Sequence, residues 1–335
     1  MIEVDVVYTW VNGNDDNWIN KQNKFANEII DNVSHNSCCA ERYEDNDELR
    51  FSIRSLDKYA SWIRNIYIVT DQQVPSWIKS FHNIKIIDHK DIFPDKDYLP
   101  TFNSMAIECY LQNIDGLSER FIYFNDDIFL GDYCSYNDFF LESGLPKIFI
   151  NKKNFKKINY ALFDHSNLPL KYYNEHQCSI INSRKLIHEK FNCLGEYTFC
   201  HGPKPMLKSV MNYLYEIFRK ELDETGKTKF RDKDNILSSA LHNFYVSSIN
   251  RETIINVNSI RNRFHDLFIK FFNKNALRYK YISCGSLNYK NHLKLIKNVR
   301  PHVFCINSGV DNCEGAGENI RIFLNNYFPN KSRYE

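Results

Sequence analysis

The sequence contains no run of about 18–20 uncharged residues, the length that a membrane-spanning helix needs. Its first residues, Met1 to Asp5, include two acids and no basic residue, so they do not resemble a secretory signal. Glycine and proline are also scarce, at 11 and 9 of 335 residues, which excludes collagen-like and low-complexity chains. These absences predict a globular protein located in the cytoplasm.

Several chemical signatures are missing as well. The sequence has neither the Gly-rich loops of P-loop kinases and dinucleotide-binding enzymes nor the serine elbow of α/β-hydrolases. Its ten cysteines include no CxxC motif, and Cys38-Cys39 is the only close pair, so we expect reduced thiols instead of a zinc site or a disulfide framework. The formal net charge of +2 gives no reason to expect a nucleic-acid partner.

What the sequence does contain is enough length for about two domains or one large α/β domain. Up to residue 150, short β-branched and aromatic runs alternate with helical patterns, which predicts an α/β fold with a mainly parallel, Rossmann-like sheet. Residues 151–335 are mixed and more helical, so we expect a core at 1–150 and a helical C-terminal addition that completes one integrated unit. Strands are predicted within 2–11, 65–70, 83–88 and 119–125, and helices within 48–63, 103–113, 203–222, 232–244 and 318–327.

The first candidate site is the acid pair Asp126-Asp127, which directly follows the apolar strand pattern at 121–125. Ligands bind beyond the carboxyl ends of parallel strands, and paired carboxylates suit Mg²⁺ or Mn²⁺ on nucleotide phosphates. Because side chains alternate along a strand, both acids reach one site only if the chain leaves the strand there. The alternative is a solvated turn, in which Asp and Asn are common.

Four basic residues are further candidates. Arg50 and Arg54 share one face of a predicted helix, where two guanidinium groups can clamp a diphosphate, although the spacing alone favours a salt-bridged surface helix. His201, in the segment HGPKP, carries the side chain that most readily accepts a proton near neutral pH. Arg231, in FRDKD, can neutralise phosphate oxygens. Both of these residues also fit purely structural roles.

Taken in order, stretches along the whole chain resemble the conserved regions of the Stealth family. The first region is resembled by VDVVYTWVNGND. The second region is resembled by four segments in order: RYEDNDELRFSIRSLDKYASWIRNIYIVTDQQVPSWI, DHKDIFP, LPTFNSMAIECYL and GLSERFIYFNDDIFLG. HGPKP with FRDKDNI resembles the third region, and FCINSGVDN with FLNNYFPNKSRYE the fourth. The fourth region usually reads C-[IL]-N-D, and here Ser308 replaces the Asp, with Asp311 as a nearby carboxylate.

The resemblance implies a glycosyltransferase-like sheet and a hexose-1-phosphate transferase. It would move a sugar phosphate, such as GlcNAc-1-phosphate, from a UDP-sugar donor to a hydroxyl of a cell-surface polysaccharide or lipid-linked oligosaccharide acceptor. The products would be a phosphodiester and UMP. The family's catalytic positions fall on Asp127, His201 and Arg231. Two alternatives stay open, namely a metal-dependent glycosyltransferase that releases UDP and a non-catalytic sugar-binding module.

The remaining expectations concern substrate binding. We expect Asp126 and Asp127 to hold a divalent cation, Mg²⁺ or Mn²⁺, on the diphosphate. The other substrate-binding candidates are Trp10, Asn12 and Gly13 for the nucleotide, Asn103 for the donor sugar, and Arg50 and Arg54 for the diphosphate.

A basic, aromatic stretch from Arg261 to Arg278 has no place in these assignments. It fits a peripheral contact with polysaccharide machinery at the inner face of a membrane, or with the acceptor chain. It equally fits a buried helix with basic ends.

Overall fold

The computed structural model describes residues 2–28, 43, 45–80, 82–150, 173–193, 197, 199–272, 277–307 and 312–335. Ser308, Asp311 and the pair Cys38-Cys39 therefore lie outside the described residues. The eight cysteines that are described carry free thiols. In the described part of the chain, no helix combines the length and the apolar character required to cross a bilayer.

A five-stranded sheet forms the centre of the fold. Its strands are β1 (Val4–Thr9), β2 (Ile66–Thr70), β3 (Ile84–Asp88), β4 (Arg120–Asn125) and β7 (Lys204–Leu207). They lie in the order β3-β2-β1-β4-β7, with the first four parallel and β7 antiparallel to β4. The predicted α/β fold with a mainly parallel sheet is confirmed.

Strand β7 occupies a segment for which the sequence predicts the start of a helix. Lys204 precedes Pro205, and a residue before proline is held in extended conformations. Pro205 pairs with Ile122 of β4. It donates no backbone hydrogen bond, which restricts it to an edge strand such as β7.

A second sheet joins the two halves of the chain. It consists of β5 (Ile128–Leu130), β11 (Val303–Asn307), β10 (Arg278–Ser283) and β9 (Asn258–Ser259), in the order β5-β11-β10-β9. A smaller pair links β6 (Ile148–Ile150) to β8 (Ile254–Asn256). The predicted helical C-terminal addition therefore contains strands as well, because these short segments find partners far away in the sequence.

Helices cover the sheets. Those among the described residues are α1 (Asp16–Glu28), α2 (Glu48–Tyr59), α3 (His89–Ile92), α4 (Ser104–Glu108), α5 (Tyr136–Phe139), α6 (Glu175–Phe191), α7 (Lys208–Ile217), α8 (Arg219–Lys227), α9 (Ser238–Ile249), α10 (Arg263–Phe272), α11 (Tyr289–Val299) and α12 (Ala316–Tyr327). The helices predicted within 48–63 and 318–327 are confirmed within a few residues. The helix predicted at 103–113 is α4 followed by a 3₁₀ turn at Leu111–Asn113.

Both faces of the central sheet are buried. On β1, Val6 and Tyr8 pack into one apolar cluster, while Val7 packs into the cluster on the opposite face. Burial on both faces is typical of a parallel sheet covered by helices, and it fixes the strand register. In this register Thr9, the last residue of β1, pairs with Asn125, the last residue of β4. The carboxyl ends of these two strands therefore lie side by side.

Candidate active site

A cleft with a volume of about 570 Å³ opens where β1 and β4 end. Small-ligand pockets typically occupy roughly 300–1,000 Å³. Five of the predicted site residues line this cleft: Trp10, Asp126, Asp127, His201 and Arg231. The fold thus brings together residues from three distant segments of the chain.

The acid pair lies where the chain passes from one sheet to the other. β4 ends at Asn125, Asp126 and Asp127 form a turn, and β5 begins at Ile128 in the second sheet. Strand β11 lies against this turn, where the Ile306 N–H donates to the Asp127 carbonyl at 3.0 Å. Because the chain leaves the strand here, both carboxylates reach the same cleft.

One carboxylate oxygen of Asp127 is held by three neighbours. His201 Nε2, Cys305 Sγ and Asn307 Nδ2 each lie 3.2 Å from Asp127 Oδ2. Burial by itself raises the pKa of Asp127, but the His201 imidazole and the hydrogen bonds outweigh burial and hold this pKa below its usual value. The other oxygen, Oδ1, is buried and has no hydrogen-bond partner among the described residues. Asp127 is therefore an ionised carboxylate that orients His201 and keeps one oxygen available for a ligand.

The pKa of Asp126 is shifted in the opposite direction to that of Asp127. Burial, followed by the neighbouring carboxylates of Asp127, Glu48 and Asp45, raises the pKa of Asp126 well above its usual value. Burial also raises the pKa of Glu48 to about 7, although this carboxylate accepts a hydrogen bond from the Asn46 N–H at 2.6 Å. Crowded acids of this kind favour a bound cation or a shared proton.

His201 lies three residues before the start of β7 in the sequence, and residues of β10 hold it in position. The Tyr279 hydroxyl donates a hydrogen bond to the His201 carbonyl oxygen. The Tyr281 ring lies edge-on to the imidazole, with 6.1 Å between the centroids. The His201 side chain is 31% exposed, so a substrate in the cleft can reach it.

Arg231 belongs to the loop between α8 and α9, and Asn103 secures that loop. The Arg231 guanidinium donates through Nη2 to Ser104 Oγ at 2.7 Å. Asn103 is fully buried, and its Nδ2 donates to Asn235 Oδ1 at 2.7 Å and to Thr228 Oγ1 at 2.8 Å. The structure therefore corrects the expectation that Asn103 contacts the donor sugar, because its amide is used to fasten the loop that carries Arg231.

Arg50 and Arg54 also lie apart from the residues that line the cleft. Arg50 Nε and Arg54 Nε each lie 2.6 Å from a carboxylate oxygen of Glu335, whose side chain is 2% exposed. Arg54 also donates to the Phe328 carbonyl at 2.7 Å. The expectation of a diphosphate clamp is therefore corrected. Arg50 and Arg54 instead form ion pairs that tie Glu335, the last described residue, to α2. The salt-bridge alternative is the better interpretation, with Arg54 buried in its pair and Arg50 27% exposed.

Asn12 and Gly13 shape the loop after β1 and do not line the cleft. The backbone of Asn12 exchanges two hydrogen bonds with the Gln73 amide, at 2.8 and 3.1 Å. A Cβ atom on Gly13 would lie 1.8 Å from the Tyr43 carbonyl oxygen. Since Tyr43 lines the cleft, Gly13 contributes by permitting this close approach. The expected nucleotide contacts of Asn12 and Gly13 stay predictions.

Sequence reasoning does not single out several residues that lie in the cleft or beside it. Lys204 lies 3.6 Å from Glu108 and 4.7 Å from the Tyr123 ring centre, which places a second cation in the cleft beside Arg231. The sequence offers one signal for Lys204, because it lies in the same HGPKP segment as His201. Cys305 and Asn307 reach Asp127 only through the β5–β11 pairing. No local pattern reveals that pairing.

The cleft also collects buried polar atoms that have no hydrogen-bond partner among the described residues. Buried polar groups are nearly always satisfied in folded proteins, so water, an ion or a polar ligand in the cleft would supply the missing partners. Burial lowers the pKa of one of them, His89, to about 4, which keeps its imidazole neutral near pH 7. The atoms are Trp18 Nε1, both ring nitrogens of His89, Glu108 Oε2, Asn125 Oδ1, Asp127 Oδ1 and Ser239 Oγ.

Two donor sets in the cleft suit different metal ions. Asp127, His201 and Cys305 place an oxygen, a nitrogen and a sulfur within 4.8 Å of one another, a combination that suits Zn²⁺. Asp126 and the second oxygen of Asp127 offer only oxygens, which suit Mg²⁺ or Mn²⁺. In the first set Asp127 Oδ2 already accepts three hydrogen bonds, whereas Oδ1 accepts none. The residues present therefore fit an oxygen-bound divalent cation.

Comparison with protein families gives three matches along the chain. Residues 3–28 match Stealth protein CR1 (conserved region 1), residues 42–148 match CR2 (conserved region 2), and residues 200–247 match CR3 (conserved region 3). Asp126 and Asp127 lie in the second match, and His201 and Arg231 lie in the third.

Curated relatives match nearly the whole chain. An exopolysaccharide phosphotransferase of Streptomyces coelicolor is 34% identical over 99% of this chain and 51% of its own length. The capsular polysaccharide phosphotransferase fcs1 of Haemophilus influenzae is 32% identical over 98% of this chain and 84% of its own length. The capsular polysaccharide phosphotransferase LcbA of Aeromonas hydrophila is 30% identical over 97% and 84% of the two chains. The chain thus spans about half of the Streptomyces relative and most of the other two.

Similarity to solved structures is weaker. The galactosyltransferase LgtC aligns with a TM-score of 0.40 and 12% identity, covering 96% of this chain and 95% of its own. The glycosyltransferase GlyE of Streptococcus pneumoniae aligns with a TM-score of 0.40 and 10% identity, covering 100% and 66% of the two chains.

Proposed function

The chain belongs to the Stealth family, and from this membership and the cleft we propose that it is a polysaccharide phosphotransferase. In the proposed reaction it transfers a hexose-1-phosphate from a UDP-sugar to a sugar hydroxyl of a cell-surface polysaccharide and releases UMP. The observation that carries the proposal is the convergence of Asp127, His201 and Arg231 on one cleft, with Asp127 and His201 3.2 Å apart.

His201 is the proposed general base. Its Nε2–H donates to Asp127, which leaves the Nδ1 lone pair to accept the proton of the attacking hydroxyl. The ionised Asp127 stabilises the imidazolium that results, as a carboxylate does beside a catalytic histidine. The hydroxyl oxygen forms a bond to the sugar-bearing phosphorus, and the bridging P–O bond of the diphosphate breaks. UMP leaves with the electron pair of that bond.

The charge that develops on the phosphate oxygens needs fixed positive groups. Arg231, held by Ser104, and Lys204, held near Glu108, are the proposed ones. Such groups act mainly by positioning the phosphate and by neutralising its charge.

Asp126 and the Oδ1 atom of Asp127 would hold the divalent cation. When bound, Mg²⁺ or Mn²⁺ neutralises diphosphate charge and makes UMP a better leaving group. The cytoplasmic location predicted from the sequence remains part of the proposal, and so do the UDP-sugar donor and the polysaccharide or lipid-linked acceptor.

Product analysis tests the chemistry. The protein is incubated with Mg²⁺, a panel of UDP-sugars and an oligosaccharide acceptor, and the nucleotides are separated while ³¹P NMR monitors the saccharide. We expect UMP together with a new phosphodiester signal. UMP without the phosphodiester would indicate hydrolysis alone, and UDP as the sole nucleotide would identify a glycosyltransferase; either result overturns the proposal. His201→Ala protein purified in parallel controls for contaminating hydrolases.

A further inference from the structure

Charge is distributed unevenly along the chain, and the imbalance is concentrated in residues 261–300. Ten of these forty residues are Lys or Arg and one, Asp266, is acidic, whereas the whole chain has 43 basic and 41 acidic residues. The rest of the chain is therefore net acidic. Arg278 and Lys280 are buried, so the exposed basic residues of this stretch are the ones that can meet an anionic partner.

Helix α10 turns an apolar stripe away from the core. Phe264, Leu267 and Phe268 are 85%, 49% and 59% exposed, and their spacing of three and four places them on one helix face. The opposite face carries Asp266 and Ile269, which are 2% and 3% exposed. The sequence left open whether this segment is buried, and the structure exposes its most apolar side.

The inner face of α10 is firmly attached to the molecule. Ile269 packs with Val299 of α11 in a small apolar cluster. Asp266 lies 3.0 Å from Arg278 and 2.9 Å from Lys270. The exposed stripe is therefore presented by an anchored helix.

Exposed basic side chains lie on both helices, and few acids neutralise them. Lys290, Lys294 and Lys297 are exposed and recur at intervals of four and three on one face of α11. Arg261 and Arg263 are exposed at the start of α10. Among the residues that the structure describes, none of these five cations has an acidic ion-pair partner within 4.0 Å. Their charge is thus available to an external anion.

We propose that α10 and α11 together form a docking surface for an anionic lipid bilayer. A bilayer interface is the partner that accepts both features, because its acyl region buries aromatic side chains while its headgroups attract Lys and Arg. A soluble anionic saccharide would satisfy the cations but would offer no apolar region to the stripe. The surface involves none of the proposed catalytic residues, so this inference stands apart from the proposed chemistry.

Vesicle flotation tests the proposal. The 335-residue protein is mixed with vesicles of phosphatidylcholine alone, or with vesicles that also contain about a third of phosphatidylglycerol, at low and high salt. We expect flotation with the anionic vesicles, loss of binding at high salt and little binding to the neutral vesicles. Absence of flotation with anionic vesicles, or equal flotation with both kinds, overturns the proposal.

Two pairs of variants separate charge from apolar contact. Lys290→Glu/Lys294→Glu/Lys297→Glu should weaken partition about a hundredfold or more, since each basic residue near an anionic surface contributes roughly a factor of five. Its control, Lys24→Glu/Lys220→Glu/Lys331→Glu, changes net charge equally at exposed sites elsewhere. Phe264→Ser/Leu267→Ser should weaken partition at least about tenfold. Its control, Ile249→Ser/Ile322→Ser, alters two apolar residues that are 58% and 52% exposed on other helices.

Circular dichroism establishes that each variant is folded before its flotation is interpreted. If the Phe264→Ser/Leu267→Ser variant binds like wild type while a soluble phosphodiester polymer displaces both proteins, the surface binds saccharide, and the proposal is wrong. If this variant instead converts a dimer to a monomer in gel filtration, the stripe is a self-association surface, and the proposal is equally wrong.

Discussion

Individual residues in the cleft differ in what they do, and substitutions can separate these roles. His201 and Asp127 form the pair on which proton transfer depends in the proposed reaction. Replacing His201 with Ala, or Asp127 with Asn, should lower turnover by about 10²–10⁴, because the base is lost or loses its orientation. Steady-state kinetics with the product assay measures this effect. His82→Ala, at an exposed histidine, is the control and should retain wild-type turnover. A folded His201→Ala protein with normal turnover would remove His201 from the mechanism.

Arg231 and Asn103 give a second contrast at this scale. Arg231→Ala should reduce turnover by about 10²–10³ and leave thermal stability nearly unchanged, since this side chain acts on developing charge. Asn103→Ala removes buried hydrogen bonds to Thr228 and Asn235, so it should reduce the free energy of unfolding by roughly 1–3 kcal/mol. Its turnover should also fall, because the loop that carries Arg231 loses its fastening. Chemical denaturation and kinetics on both variants test the distinction, which fails if Asn103→Ala is as stable as wild type.

At the scale of elements, helix α2 is tied to the end of the described chain. Two guanidinium groups and the Ser332 backbone N–H offset the burial of Glu335 and lower its pKa from 4.5 to about 2. A carboxylate whose pKa is lower in the folded than in the unfolded state stabilises the fold above the unfolded pKa. That stabilisation is lost as the pH falls from about 4.5 towards 2.

Glu335→Gln should therefore lower the free energy of unfolding near pH 7 by roughly 3 kcal/mol, because it leaves Arg54 buried without its counter-ion. The difference from wild type should shrink below pH 4.5. Denaturant titrations across this pH range measure it. Glu216→Gln, which removes an exposed pair with Arg219, is the matched control and should change stability by less than about 1 kcal/mol. A pH-independent difference would contradict the assignment.

Elements differ in how well the sequence predicts them. Strands β1 to β4 and helix α2 are encoded locally, by apolar runs and by helical spacing, and the structure has them where they are predicted. β5, β7 and β11 are three to five residues long, and each depends on a partner far along the chain. Arg50 and Arg54 illustrate the same limit. Their spacing correctly indicated a shared helix face, but only the folded chain shows that Glu335 lies against it.

The whole molecule is held together by strand pairs that cross between its two halves. β7, from the second half, pairs with β4, and β5, from the first half, pairs with β11. Both halves also contribute residues to the cleft. His201 and Arg231 come from the second half, and Asp126 and Asp127 come from the first. The sequence predicts a boundary near residue 150, and both of these strand pairs join residues from opposite sides of it.

The pieces 1–150 and 151–335, produced together as two chains, should consequently form one particle. Gel filtration shows whether the two pieces elute together. We expect co-elution and retained turnover, because separation would expose the β4 edge, the partner edge of β5 and the aromatic cluster around Phe121 and Tyr123. The piece 1–150 expressed alone should lack the near-ultraviolet circular dichroism of packed aromatic residues, for the same reason. Two separately folded pieces would instead establish two independent domains with the active site assembled at their interface.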